Sequence, residues 1–185
     1  MKGNTRKLRG ITLIGFKCSG KTRIGKFLGK KLGMDFLDID RLIEDVYAQN
    51  GRKRCTVRTI YKKFGSGYFQ DVEAKALEKA IKAKGAVLSL GGGTPLNSGF
   101  RKTDFKDTVF VYLDVKPAVL YERIKRKGLP PFLDRGRPKK SFNHLFEKRT
   151  PMYKKFADVT VDNSNRAPAE VCREIIKRLE ERVGR

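Results

Sequence analysis

The sequence predicts an α/β domain with a parallel sheet covered by helices on both faces, and three observations carry that expectation. Short apolar, β-branched runs alternate with segments of helical period, the pattern of strands joined by crossover helices. The first run, Ile11-Thr12-Leu13-Ile14, opens directly into Gly15-Phe16-Lys17-Cys18-Ser19-Gly20-Lys21-Thr22, and a helical pattern follows at once. The chain has 185 residues, the length of one core, with no internal repeat and no low-complexity segment. We expect a single domain over residues 1–185.

Taken in order, the first helix runs from Thr22 to Leu32, with Ile24, Phe27, Leu28 and Leu32 on its apolar side. Met34 to Ile39 reads as a short strand ending in Asp38-Ile39-Asp40. A helix from about Arg41 to Gln49 carries Leu42, Ile43 and Val46 on one face, and Asn50-Gly51 stops it. The basic stretch Arg52-Lys53-Arg54 precedes a helix near Val57 to Phe64. Gly65-Ser66-Gly67 then breaks the chain before a longer helix, about Tyr68 to Lys84. Ala86 to Leu90 is a buried strand running into Gly91-Gly92-Gly93, Thr108 to Leu113 is another strand, and Pro117 to Lys127 is a helix. Gly128 to Lys140 holds three prolines, two glycines and many basic groups, which marks a surface loop or lid. A helix from Ser141 to Lys154, a strand at Val159 to Val161 and a helix from Pro168 to Val183 complete the pattern.

The motif Gly-x-x-x-x-Gly-Lys-Thr between a strand and a helix is a cradle for nucleotide phosphates. Its glycines let backbone N–H groups converge on phosphate oxygens at the positive end of a helix. Lys21 reaches the β/γ-phosphates and the Thr22 hydroxyl binds magnesium. A chance match in a turn is the competing reading, and the strand, loop and helix in register weigh against it. The fold expected is therefore a P-loop NTPase-type three-layer α/β/α sandwich, whose ligands bind at the C-terminal ends of the strands. Asp38, Asp40 and the triple glycine fall at those ends. Two residues apart on a strand, both carboxylates point to one side. One holds the magnesium through water and the other takes a proton from a hydroxyl, as phosphoryl transfer requires. By itself such a pair is common on surfaces, and the adjacent phosphate loop gives it weight. Gly91, Gly92 and Gly93 allow a backbone to approach a ligand closely, although a flexible turn has the same composition.

Charge is the unusual property: 43 Lys+Arg against 20 Asp+Glu give +23, spread over Lys2 to Arg9, Arg52 to Lys63 and Arg123 to Lys155. Nucleic-acid binding is one reading of such a balance. The basic residues do not interleave regularly with aromatics and no nucleic-acid module is recognisable, so a basic surface suited to anionic nucleotides is the expectation. Cys18, Cys55 and Cys172 are widely spaced and form no CxxC pair, which suggests free thiols in a reducing compartment. The single His144 makes no zinc pattern with them and reads as a surface group. With no apolar run of spanning length and no leader pattern, a monomer in the cytoplasm without membrane contact is expected.

Together the phosphate loop, the Asp38/Asp40 pair and the triple glycine, at these separations, resemble the shikimate kinase family. The resemblance runs from Ile11 to about Ile176 and includes Leu-Asp-Ile-Asp, Leu-Gly-Gly-Gly, Val-Tyr-Leu-Asp, Lys-Arg-Thr-Pro-Met-Tyr and Val-Asp-Asn. It implies an ATP-dependent kinase that uses Mg2+ to move the γ-phosphate to a hydroxyl of a small molecule. It also implies a small helical substrate subdomain over about residues 41–75 and a lid over about 128–140. By the same resemblance Lys21 and Asp40 are catalytic, and Thr22 and Asp38 serve the metal. Gly15, Cys18, Ser19, Gly20, Lys21 and Thr22 hold the phosphates, Arg123 stacks on adenine, and Asn163 lies in the loop on adenine's other side. Asp40 binds the substrate hydroxyls, Gly91, Gly92 and Gly93 touch the substrate, and Arg149 binds its carboxylate.

The chain departs from the family's pattern at two cationic positions. Gln70 stands where the family has a carboxylate-gripping arginine, and a neutral amide replaces that charged fork. The lid motif Arg-Pro-Leu-Leu reads Pro130-Pro131-Phe132-Leu133, which removes the arginine that meets substrate and transferred phosphate. Arg135 and Arg137 are candidates to replace it. Cys18 replaces a glycine that most members carry, a change the backbone cradle should tolerate, and there is extra length around Arg52-Lys53-Arg54. Gln70 and Pro130 favour a drifted hydroxylated acceptor over shikimate itself, and a nucleoside monophosphate kinase and a catalytically weakened nucleotide- or nucleic-acid-binding protein are the alternatives. Phe64, Tyr68 and Phe69 either wall the substrate pocket or pack between helices, and Glu73 is expected to pair with a basic group.

Overall fold

A computed structural model of the protein describes residues 10–49, 51–97, 99–106 and 108–183. Five strands form one sheet: β1 (Gly10–Ile14), β2 (Asp35–Asp38), β3 (Ala86–Ser89), β4 (Thr108–Asp114) and β5 (Val159–Asp162). Their order is β2-β3-β1-β4-β5 and every pairing is parallel, so each connection crosses over the sheet. Six helices supply the crossovers and covers: α1 (Lys21–Leu32), α2 (Ile39–Ala48), α3 (Val57–Lys82), α4 (Pro117–Lys127), α5 (Pro138–Phe156) and α6 (Pro168–Val183).

Alternation along the strands sorts the apolar residues into two cores. Ile11 and Leu13 of β1 and Val111 and Leu113 of β4 pack with Ile24 and Leu28 of α1 and Val171, Cys172 and Ile175 of α6. Ile14 of β1 and Phe110 and Tyr112 of β4 turn to the other face. There they meet Ile43 of α2, Ile60 of α3, Leu120 of α4 and Phe142 and Tyr153 of α5. Both faces of the sheet are therefore buried, which is why its strands read as continuous apolar runs.

The structure departs from the sequence reading at several points. β2 ends at Asp38, whose carboxylate caps α2 by accepting the Asp40 N–H at 3.1 Å. Asp40 therefore sits in the first turn of a helix, and strand alternation is not what brings the two carboxylates together. The expected break at Gly65-Ser66-Gly67 is a kink inside the single element α3, taken by Gly65 at φ 77° and ψ −176°. α5 starts at Pro138 rather than Ser141, because proline suits the first helical position. Finally, Phe27 is 43% exposed, outside the apolar stripe assigned to it.

Candidate active site

The phosphate loop joins β1 to α1 and owes its shape to residues in left-handed conformations. Gly15 has φ +142°, and a β-carbon there would lie 2.9 Å from both the Leu113 carbonyl oxygen and Ser19 Oγ. Gly20 has φ +97°, and a β-carbon would lie 2.5 Å from Asn163 Nδ2. Cys18 also lies in this region, at φ +66°, a conformation that favours glycine. The loop thus holds a cysteine in a conformation that glycine adopts without strain. Asn163 is buried and its Nδ2 donates to the Ser19 carbonyl at 2.7 Å, bracing the loop from behind. Arg123 donates to the carbonyl of Asn163 at 2.9 Å and to that of Ser164, so the two residues expected at the adenine end meet each other.

Lys21 is buried at the start of α1, and its Nζ donates to the carbonyls of Gly15 and Phe16, each at 2.9 Å. Burial pulls its pKa down to about 8, against the raising influence of Asp40 and Asp38. Among the described residues this buried ammonium has no ion-pair partner within 4.0 Å. Ser19 Oγ is likewise buried without a hydrogen-bond partner among them. A cradle of left-handed residues with a cation and an orphan hydroxyl fits nucleotide phosphates. Thr22 Oγ1 donates to Asp38 Oδ2 at 2.8 Å, a pair of hard oxygens that fits magnesium held partly through water.

The acceptor side is assembled from distant segments. Asp40 is open to solvent in a crowded recess, where desolvation and then the neighbouring Asp38 raise its pKa, opposed by Lys17 and Lys21. Gly92 abuts the phosphate loop, since a β-carbon on it would lie 3.0 Å from the Lys17 nitrogen. The Arg149 guanidinium lies over the rings of both Phe16 and Phe132, 5.2 Å from each centroid. It also approaches the Gly92 carbonyl at 3.5 Å, and Tyr153 Oη donates to that same carbonyl. Burial raises the Tyr153 pKa to about 12, so the phenol keeps its proton and stays a donor.

Among the described residues Glu73 pairs with no basic group. It is 5% exposed, its Oε1 accepts from Thr94 Oγ1 at 2.5 Å, and its Oε2 accepts from the Asn97 amide. Desolvation raises its pKa, the two hydrogen bonds lower it, and Asp40 raises it further. Through Thr94 this carboxylate fixes the end of the triple-glycine turn; a β-carbon on Gly91 would lie 2.7 Å from Thr94 Oγ1. Thr94, Asn97 and Tyr153 carried no positional signal by themselves, although Tyr153 closes the quoted Lys-Arg-Thr-Pro-Met-Tyr segment.

The remaining residues divide plainly. Gln70 is exposed on α3, and His144 is exposed on α5. Phe64 and Tyr68 pack on Tyr47 of α2, while Phe69 packs on Tyr61 within α3. In the segment expected to form a lid, Pro130 and Leu133 are buried, and Arg135 and Arg137 are exposed.

The family model described as shikimate kinase matches residues 17–180. The chain belongs to the shikimate kinase family. A shikimate kinase of Thermodesulfovibrio yellowstonii is 35% identical over 173 residues, covering 94% of this chain and 96% of that protein. Among solved structures, a shikimate kinase from Acinetobacter baumannii in complex with shikimate superposes with TM-score 0.84 at 26% identity, over 95% of this chain and 94% of that one. The shikimate kinase of Aquifex aeolicus gives TM-score 0.79 at 31% identity, over 94% of this chain and 98% of that one. Membership makes the protein an ATP-dependent small-molecule kinase that uses Mg2+ and acts on a hydroxyl group. No helix among the described residues is long and apolar enough to cross a membrane.

Proposed function

We propose that this kinase phosphorylates a hydroxyl of a small polyhydroxylated acid of the shikimate type, anchored by Arg149. The observation that carries the reading is the Arg149 guanidinium lying over the rings of both Phe16 and Phe132 beside the Gly92 carbonyl. A planar cation packed against two rings loses little freedom on binding a carboxylate, which favours recognition there. ATP and magnesium, when bound, supply the phosphoryl group and most of the charge neutralisation. Lys21 leaves its two carbonyl partners for the phosphates, and Thr22 and Asp38 hold the metal side. Asp40 accepts the proton of the attacking hydroxyl. Its raised pKa makes it a better base than an unperturbed aspartate, and Asp38 is the second source of that shift.

A second reading, a drifted acceptor with a weaker or absent acid group, is favoured by Gln70 and by the buried Pro130, neither of which offers a charged donor. Steady-state turnover with ATP-Mg2+ and shikimate decides between them. The first reading expects shikimate-dependent ADP formation. It also expects Arg149→Met to raise the KM for shikimate roughly 100-fold, the loss of about 2–3 kcal/mol from a charged hydrogen-bonded pair. Absence of turnover with saturating shikimate, together with turnover of a neutral polyol, would establish drift.

A further inference from the structure

We propose that Lys17 is a catalytic residue of this kinase, its ammonium group neutralising the phosphoryl group in transit between ATP and the acceptor hydroxyl. The inference rests on the kinase reading above and concerns a residue with no role in it. Transfer draws the γ-phosphorus away from the β-bridging oxygen while the acceptor oxygen approaches in line. Negative charge must then be held by fixed donors at the junction of the two sites.

Lys17 sits at that junction. The preceding carbonyl, Phe16 O, accepts both the Lys21 ammonium at 2.9 Å and the Ser19 N–H at 3.2 Å. The Lys17 nitrogen itself faces Gly92 of the acceptor loop, 3.0 Å from where a β-carbon would be. Its backbone is thus pinned between the phosphate lysine and the triple glycine, while its side chain is exposed. Lys21, the other cation of the loop, is held on the donor side by the carbonyls of Gly15 and Phe16. Residues 128–134 contain no Lys or Arg, and Pro130 is buried. Arg149 is engaged by Phe16, Phe132 and Gly92.

The step balances without a further reactant. The acceptor O–H gives its proton to the Asp40 carboxylate, the new O–P bond forms, and the bond between the γ-phosphorus and the β-bridging oxygen breaks. ADP departs with that bond's electron pair, and Lys17 keeps its proton throughout.

Lys17→Met and Lys17→Arg test the proposal in the full chain. With shikimate and ATP-Mg2+, Lys17→Met should lower kcat roughly 100-fold, the effect of removing one preorganised donor, with both KM values within about threefold of the parent. Lys17→Arg should recover most of that loss. Binding of MgADP with aluminium fluoride, a mimic of the planar phosphoryl group, should weaken by a similar factor in Lys17→Met, while binding of MgADP alone stays unchanged. If the unmodified chain does not phosphorylate shikimate, the acceptor reading fails by itself, and the aluminium fluoride measurement still decides the role of Lys17. Parental kcat or, without turnover, parental analogue affinity in Lys17→Met overturns the proposal. So does an equal loss of MgADP affinity, which would mark a merely structural residue.

Discussion

The phosphate loop takes its shape from consecutive residues 15–22, whereas the acceptor side gathers Asp40, Glu73, the glycines 91–93, Phe132 and Arg149 from far-separated segments. On the donor side the chain's own turns position the chemistry, and Asn163 and Arg123 only brace it from behind. On the acceptor side position depends on packing between α2, α3, the segment expected to form a lid and α5. The two differ in how they are disturbed. A donor-side change acts through local backbone conformation, while an acceptor-side change acts through a network of partners that lose their hydrogen bonds together.

The largest expected effect separates the two sides directly. Asp40→Asn should lower kcat by roughly 10²–10⁴-fold, the usual worth of a general base, and leave the dissociation constant for ATP-Mg2+ within about threefold. Stopped-flow turnover and calorimetric nucleotide binding read the two quantities, and a matching loss of ATP affinity would show that the sides are not separable.

A smaller effect belongs to the acceptor network. Glu73→Ala should destabilise the fold by about 2–3 kcal/mol in denaturant unfolding, because Thr94 and Asn97 lose their buried acceptor. The pH dependence has a definite sign. The folded pKa of Glu73 is raised above 4.5, so the folded chain keeps a proton that the unfolded chain releases. That stabilisation is fully present below about pH 4.5 and is lost as pH rises through the folded pKa. Glu73→Gln should flatten this part of the stability profile; an unchanged slope would remove Glu73 as its source.

The smallest effect tests the donor side. Cys18→Gly relieves a left-handed residue at φ +66° but adds glycine's freedom to the unfolded chain. The net expectation is a gain of roughly 0.5–1 kcal/mol, seen as a higher unfolding midpoint at unchanged m-value.

How legible each part was in the sequence follows the same division. The turn conformations of Gly15 and Gly20 and the contacts of Lys21 with Gly15 and Phe16 were readable because they lie within a few residues of one another. The alternation of strands and helices was readable for the same reason. Asp38 and Asp40 were found as a pair, but the cause of their convergence was misread, because a helix cap and a strand end look alike in a short segment. Glu73 was misread because its partners, Thr94 and Asn97, lie 21 and 24 residues away. Phe64 and Tyr68 were ambiguous until α2 packed against α3 and showed which helix face each occupies.

By itself the sequence determined the α/β class, the phosphate cradle and the family, since each is written in short-range spacing. Tertiary structure alone decided where the acceptor side gets its order. A guanidinium lying over two aromatic rings, a buried carboxylate holding a glycine turn, and a lysine pinned against that turn are contacts between segments. Their energies come from burial and from hydrogen bonds made in a shared, poorly solvated space, which exists only after the chain has folded.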